Sequence, residues 1–160
     1  MGWKLSGIYR AMSAPWLTVG LSTDVSLTGV FGPAANLRPN YNGASILCAN
    51  PSPTCWINPG AFATPAQGTF GNLGRDTIRG PMFWQFDMAA SRVFRVREAW
   101  SLEVRGEAFN LTNSQRAGIS PPSLQAGGSG LNLTLGTPGF GTVTNSLDPR
   151  IMQLAMKFVF

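Results

Sequence analysis

Apolar and polar residues alternate with a period of two along several separated stretches of the chain, and helical periodicity is weak throughout. The clearest stretch is 150–160. Met152, Leu154, Met156, Phe158 and Phe160 fall on one face, and Ile151, Gln153, Ala155, Lys157 and Val159 on the other. Residues 100–110 repeat the pattern, with Trp100, Leu102, Val104, Gly106 and Ala108 against Ser101, Glu103, Arg105 and Glu107. Residues 83–94 set Trp84, Phe86, Met88 and Ala90 against Gln85, Asp87, Ala89 and Ser91. Two earlier segments alternate with blurrier faces. The pattern predicts an all-β chain of about five strands, at 3–12, 16–27, 83–94, 100–110 and 150–160.

These segments are longer than the usual strand of about 5–6 residues and match the 9–11 residues of a tilted strand crossing a bilayer. Each clear strand has an apolar face with an aromatic near one end and a polar face that carries charge. A transmembrane barrel demands this division, because one face meets lipid and the other a wet lumen. The connections agree. Short links at 13–15 and 95–99 alternate with long ones at 28–82 and 111–149, as periplasmic turns alternate with external loops. A compact soluble domain is a poor host for two long connections without structure of their own.

Composition points the same way. Only 12% of residues are charged while 44% are apolar, too apolar for disorder and too uncharged for an ordinary soluble surface. The net charge of +5 comes from scarce acids rather than clustered bases, so no nucleic-acid partner is expected. The absence of histidine excludes His-based triads and His-ligated zinc. No continuous apolar stretch is long enough for a membrane-crossing helix, and residues 1–12 do not read as a secretory leader. Five strands cannot close a barrel, and open edges in hydrocarbon leave backbone groups unpaired. The chain is therefore expected to be part of a larger barrel or one chain of an oligomer, with its leader lost by the same truncation.

Few residues invite a chemical role. Asp87, Glu103, Arg105 and Glu107 are expected on the polar, lumen-facing side. The two glutamates fall about 13–14 Å apart, beyond the reach of a glycosidase pair. They read as a charge ladder, either touching a lumenal partner or solvating itself by ion pairing with Asp87. Cys48 and Cys55 are the sole cysteines, too few for zinc and wrongly spaced for a redox dithiol. A disulfide fits an exported chain better than two free thiols. Arg92 interrupts the apolar face of its strand near the expected periplasmic end and reads as a snorkelling anchor. The glycine-rich stretches 127–130 and 136–141 lack the Lys-Ser/Thr of a phosphate loop and read as flexible external loop. No catalytic residue, cofactor or metal is expected, and the chain does not read as an enzyme.

The run from Trp56 to Asn113 contains NPGAFA (58–63), GTFGNLGR (68–75), RGP (79–81), FWQFDMAASRVF (83–94) and EAFNLTN (107–113), and the chain opens with GWKLSGIYR. Together with the terminal aromatic strand, these pieces resemble the C-terminal end of TonB-dependent receptor barrels. The likeness is to the Oar-like group that carries a carboxypeptidase-regulatory-like domain. The resemblance implies a 22-stranded barrel in a Gram-negative outer membrane and a plug inside it. It implies a TonB complex reached through the missing N-terminal part. It also implies that Phe158 and Phe160 belong to the signal read by the barrel-assembly machinery. Trp84, Trp100, Leu154, Met156, Phe158 and Phe160 would then face outer-membrane lipid. Two rival readings use other functions: an adhesion or secretion-linked surface barrel, and a soluble β-sandwich binding module.

Overall fold

A computed structural model of the chain describes residues 2–30, 37–97, 100–117 and 130–160. The strands are β1 (Lys4–Met12), β2 (Trp16–Leu17), β3 (Gly20–Leu21), β4 (Asn40–Tyr41), β5 (Leu47–Ser52), β6 (Cys55–Ile57), β7 (Phe62–Ala63), β8 (Ile78–Arg79), β9 (Phe83–Arg95), β10 (Ser101–Phe109), β11 (Thr134–Leu135) and β12 (Ile151–Val159). The only helical element among the described residues is a 3₁₀ turn, Pro59–Ala61. The chain divides into two compact units, one built from three separate stretches of sequence and the other from two.

One unit is a four-stranded antiparallel sheet in the order β1-β9-β10-β12. Its strands are the long alternating ones, and the register carries their alternation across the sheet. Gly106 lies opposite Leu154 and Ala90, and Ala90 opposite Leu5. Because directly opposed residues project to the same side, Leu5, Ala90, Gly106 and Leu154 share one face. Trp84, Phe86, Met88, Leu102, Val104, Met152, Met156 and Phe158 follow on that face by the period of two. The other face holds Lys4, Arg10, Asp87, Arg95, Glu103, Arg105, Glu107 and Lys157. Neither face is sealed by a core: every residue of β1 and of β12 is exposed, with Leu154 at 88% and Met156 at 77%.

The second unit, 14–81 with 117–146, holds the hydrophobic core. Val19, Ile57, Ala61, Phe62, Leu73, Ile78, Leu131 and Phe140 form one buried cluster, with the Phe62 and Phe140 rings edge to face at 5.9 Å. Four two-stranded pairings frame it: β2 with β8, β4 with β7, β5 with β6, and β3 with β11. The last is parallel and joins the two excursions of the chain, since β3 precedes β9 and β11 follows β10. The Cys48–Cys55 disulfide closes the β5–β6 hairpin, so the pairing expected of these cysteines is the one found.

Three expectations need correction here. Residues 16–27 are not a membrane-length strand, and among the described residues the long sheet has four strands rather than about five. Val19 and Leu21 are buried in the second unit's core instead of lining a sheet face. Beyond Leu21 the chain curls around Asp24, whose carboxylate accepts from Ser26 Oγ at 2.7 Å and from the Gly29 amide at 2.7 Å. Short polar side chains that bond to neighbouring backbone compete with the sheet ladder, and here they end it. Secondly, the long connections 28–82 and 111–149 are not structureless, because together they supply most of the second unit. Thirdly, the glycine stretch 136–141 is a fixed turn rather than a flexible loop. Gly141 sits at φ +80° and accepts from the Trp56 and Ile57 amides, and a Cβ there would stand 2.5 Å from the Ile57 carbonyl oxygen. Glycine allows that approach and that φ without strain. Residues 127–129 of the other glycine stretch lie outside the described residues.

The alternation of connection lengths survives these corrections. β1 and β9 are joined by one long excursion, β9 and β10 by the short turn around 96–100, and β10 and β12 by a second long excursion. Met12 pairs with Phe83 and Phe109 with Ile151, so both excursions leave from and return to the same end of the sheet.

Candidate functional site

The candidate working surfaces are the two faces of the sheet. On the apolar face, Trp100, Phe158 and Phe160 gather beside the short turn, with ring centroids 5.9 Å apart for Trp100–Phe158 and 6.3 Å for Phe158–Phe160. Trp84 stands near the opposite end, and Leu154 and Met156 lie between. Trp84, Leu154, Met156 and Phe158 share this face by register, and the Trp100 and Phe160 rings pack on Phe158 beside it. Phe160, beyond the end of β12, is 88% exposed.

The polar face carries a different arrangement from the expected ladder. Asp87, Glu103, Arg105 and Glu107 do share this face, but Asp87 does not pair with Arg105. Arg105 lies opposite Ser91, two same-face positions and ~13 Å away from Asp87 along β9. Instead Arg105 pairs with Glu107 on its own strand, and Asp87 with Arg10 across the β1–β9 ladder at 3.3 Å. Glu103 lies opposite Lys157 in the β10–β12 register. Lys4, Ser6, Ser91, Glu103 and Arg105 line a groove on this face, and Arg92 of β9 also borders it.

Asp87 also anchors a polar clasp at the end where the excursions begin. Its Oδ1 accepts from Gln85 Nε2 at 2.6 Å and from the Asn110 amide at 2.8 Å. Asn110 is buried and turns the chain out of β10 at φ +51°, a left-handed conformation that asparagine tolerates better than most residues. Its side chain accepts from the Ser114 amide at 3.1 Å and donates to the Ser114 carbonyl at 3.2 Å. Arg116 closes the clasp. It is 6% exposed, donates to Gln85 Oε1 and to the Asp148 carbonyl, and lies 5.6 Å from the centre of the Phe83 ring. One side chain thus ties β9 to the segments that leave β10 and enter β12. Sequence reasoning missed Arg116 and Asn110. The signal was available for Asn110, which ends an alternating run in EAFNLTN, but not for Arg116, which stands in no pattern.

Other pieces of the resemblance prove to be structural in the second unit. Asn58 of NPGAFA caps the 3₁₀ turn by accepting from the Gly60 amide at 3.0 Å. In GTFGNLGR, Asn72 accepts from the Tyr41 amide at 2.7 Å, and a Cβ on Gly71 would lie 2.0 Å from the Arg38 carbonyl oxygen. In RGP, Arg79 stacks over Trp16 at 3.8 Å and donates to the Ala14 carbonyl.

Long antiparallel strands with one apolar and one polar face, joined by alternately short and long connections, define the wall of a transmembrane β-barrel. The sequence matches the outer membrane beta barrel domain family over residues 1–153, and the chain belongs to that family. It is an outer-membrane protein of the barrel type, which sets aside the soluble β-sandwich reading. No curated protein and no solved structure matches the chain.

Proposed function

We propose that the four-stranded sheet is part of the barrel wall of a TonB-dependent, Oar-like receptor in a Gram-negative outer membrane, and that the chain is not an enzyme. The apolar face meets lipid, the polar face lines the lumen, and β1 and β12 pair with further strands of the same barrel. The unit built from the long excursions is the external, ligand-facing part. Phe158 and Phe160 serve as the signal for the barrel-assembly machinery. The plug and the TonB complex act through a part of the receptor outside these residues.

The observation that carries this reading is the shared register. It puts the alternation of four separate strands onto two common faces and sends both long excursions out of one sheet end. The receptor identity rests additionally on the motif pieces within 56–113. The test is to fractionate the source cells, probe with antibody to residues 37–82, and challenge the captured protein with the purified periplasmic domain of TonB. The expected result is an outer-membrane band far above 17.1 kDa that binds the TonB domain. A band near 17.1 kDa, or a large one with no TonB affinity, would overturn the receptor assignment.

A further inference from the structure

One charged residue interrupts the apolar face. Among the described strand residues on that side, from Leu5 to Phe158, only Arg92 carries a charge. Its guanidinium lies 4.8 Å from the centre of the Phe94 ring and 5.6 Å from that of Trp3. Register places it beside Val104, and Val104 beside Met156. The Trp100–Phe158 pair follows one step nearer the short turn. Arg92 is thus a half-buried cation in an aromatic setting. Among the described residues no carboxylate lies within ion-pair distance of it.

A guanidinium presents five N–H donors in a planar fork and stays charged at any relevant pH. Aromatic faces stabilise the charge but accept none of those hydrogen bonds well. On a lipid-facing surface water is scarce, so the donors need an anionic acceptor supplied from the membrane. The chemically matched group is a phosphodiester, which an arginine fork engages in a bidentate way. Short turns of barrels lie on the periplasmic side, and Arg92 lies within the last turn-side positions of β9. The leaflet there is made of glycerophospholipids.

We propose that Arg92, flanked by Trp3 and Phe94, is a binding site for the phosphate of a glycerophospholipid in the periplasmic leaflet. This rests on the assignment of the apolar face to lipid. The aromatic rings hold the guanidinium just below the headgroup layer, and the phosphate reaching down to it completes its hydrogen bonding.

The test is native mass spectrometry of the full-length protein purified in detergent, titrated with dioleoyl phosphatidylglycerol, with dioleoylglycerol, which lacks the phosphate, and with free glycerol 3-phosphate. Wild type should retain phosphatidylglycerol in preference to dioleoylglycerol, and Arg92→Gln should weaken that retention at least about tenfold, since hydrogen bonds to charged groups are the strong ones. Glycerol 3-phosphate alone should not be retained, because the acyl chains supply part of the binding. Equal retention of the two diacyl lipids by wild type would overturn the headgroup site while leaving the lipid-facing assignment in place. That comparison needs no variant, so it decides even if Arg92→Gln fails to assemble. Retention of neither lipid, by a protein that stays monodisperse without detergent, would overturn both.

Discussion

Leu154→Arg is the substitution that most directly tests the face assignment. Leu154 is 88% exposed, central in β12, and opposite Gly106, which offers no side chain to shield it. It lies two same-face positions from Phe158 in the aromatic group beside the short turn, which is ~13 Å along the strand. A strand tilt of about 40° reduces this to a depth of ~10 Å. The apolar band of a barrel is about 25 Å tall, so with the apolar face in lipid Leu154 would sit near its middle. Arginine at the bilayer midplane costs about 2–4 kcal/mol, against about 0–1 near the interface. On the same assignment the native Arg92, one same-face step from Phe94, would lie nearer the interface and escape most of that penalty. Gln153→Arg is the control, since Gln153 is adjacent but on the polar face opposite Glu107. The assay is urea unfolding of the full-length protein in phospholipid vesicles, read alongside its heat-modifiable mobility. Leu154→Arg is expected to lose about 2–4 kcal/mol or fail to assemble, with Gln153→Arg close to wild type. Equal stability of the two variants would refute the assignment of the apolar face to lipid.

Arg116→Met should orphan the Gln85 and Asp148 acceptors at about 1–3 kcal/mol each, and hydrogen exchange should show the loss confined to the ends of β9, β10 and β12. Replacing Cys48 and Cys55 by serine removes a closed loop from the β5–β6 hairpin. A loop of this size stabilises by about 2–3 kcal/mol, so a lower thermal midpoint of the second unit is expected, with the four-stranded sheet unaffected. Gly141→Ala requires an L-residue at φ +80° with its Cβ against the Ile57 carbonyl, and limited proteolysis should report loosening of the β6 region by more than about 1 kcal/mol. Asp24 is held below the ordinary carboxylate range, first by the Ser26 hydroxyl and then by backbone amides led by Gly29. A depressed value in the folded state means that the carboxylate supports its turn above about pH 4 and stops doing so as pH falls through the folded value. Residues 24–29 should therefore gain amide exchange at acid pH, and Ser26→Ala should move that onset upward.

The alternation of 83–94, 100–110 and 150–160 determined by itself that these segments are strands with one apolar and one polar face. That information is local, because a period of two assigns faces without reference to any partner. Which strands neighbour one another followed from connection length only in part. The same alternation misled at 16–27, where Val19 and Leu21 serve a core built from residues distant in sequence, and a local pattern cannot reveal which hydrophobic surface will bury it. The clasp was invisible for the same reason. Asp87, Asn110 and Arg116 meet because the β9–β10 register and the turn at Asn110 carry them to one sheet end, and Arg116 sits in no periodic pattern. The long connections read as loops because their glycines, prolines and short polar residues deny them regular strands. Only tertiary packing, through the Phe62–Phe140 contact and the parallel β3–β11 pairing, made the two of them a single folded unit.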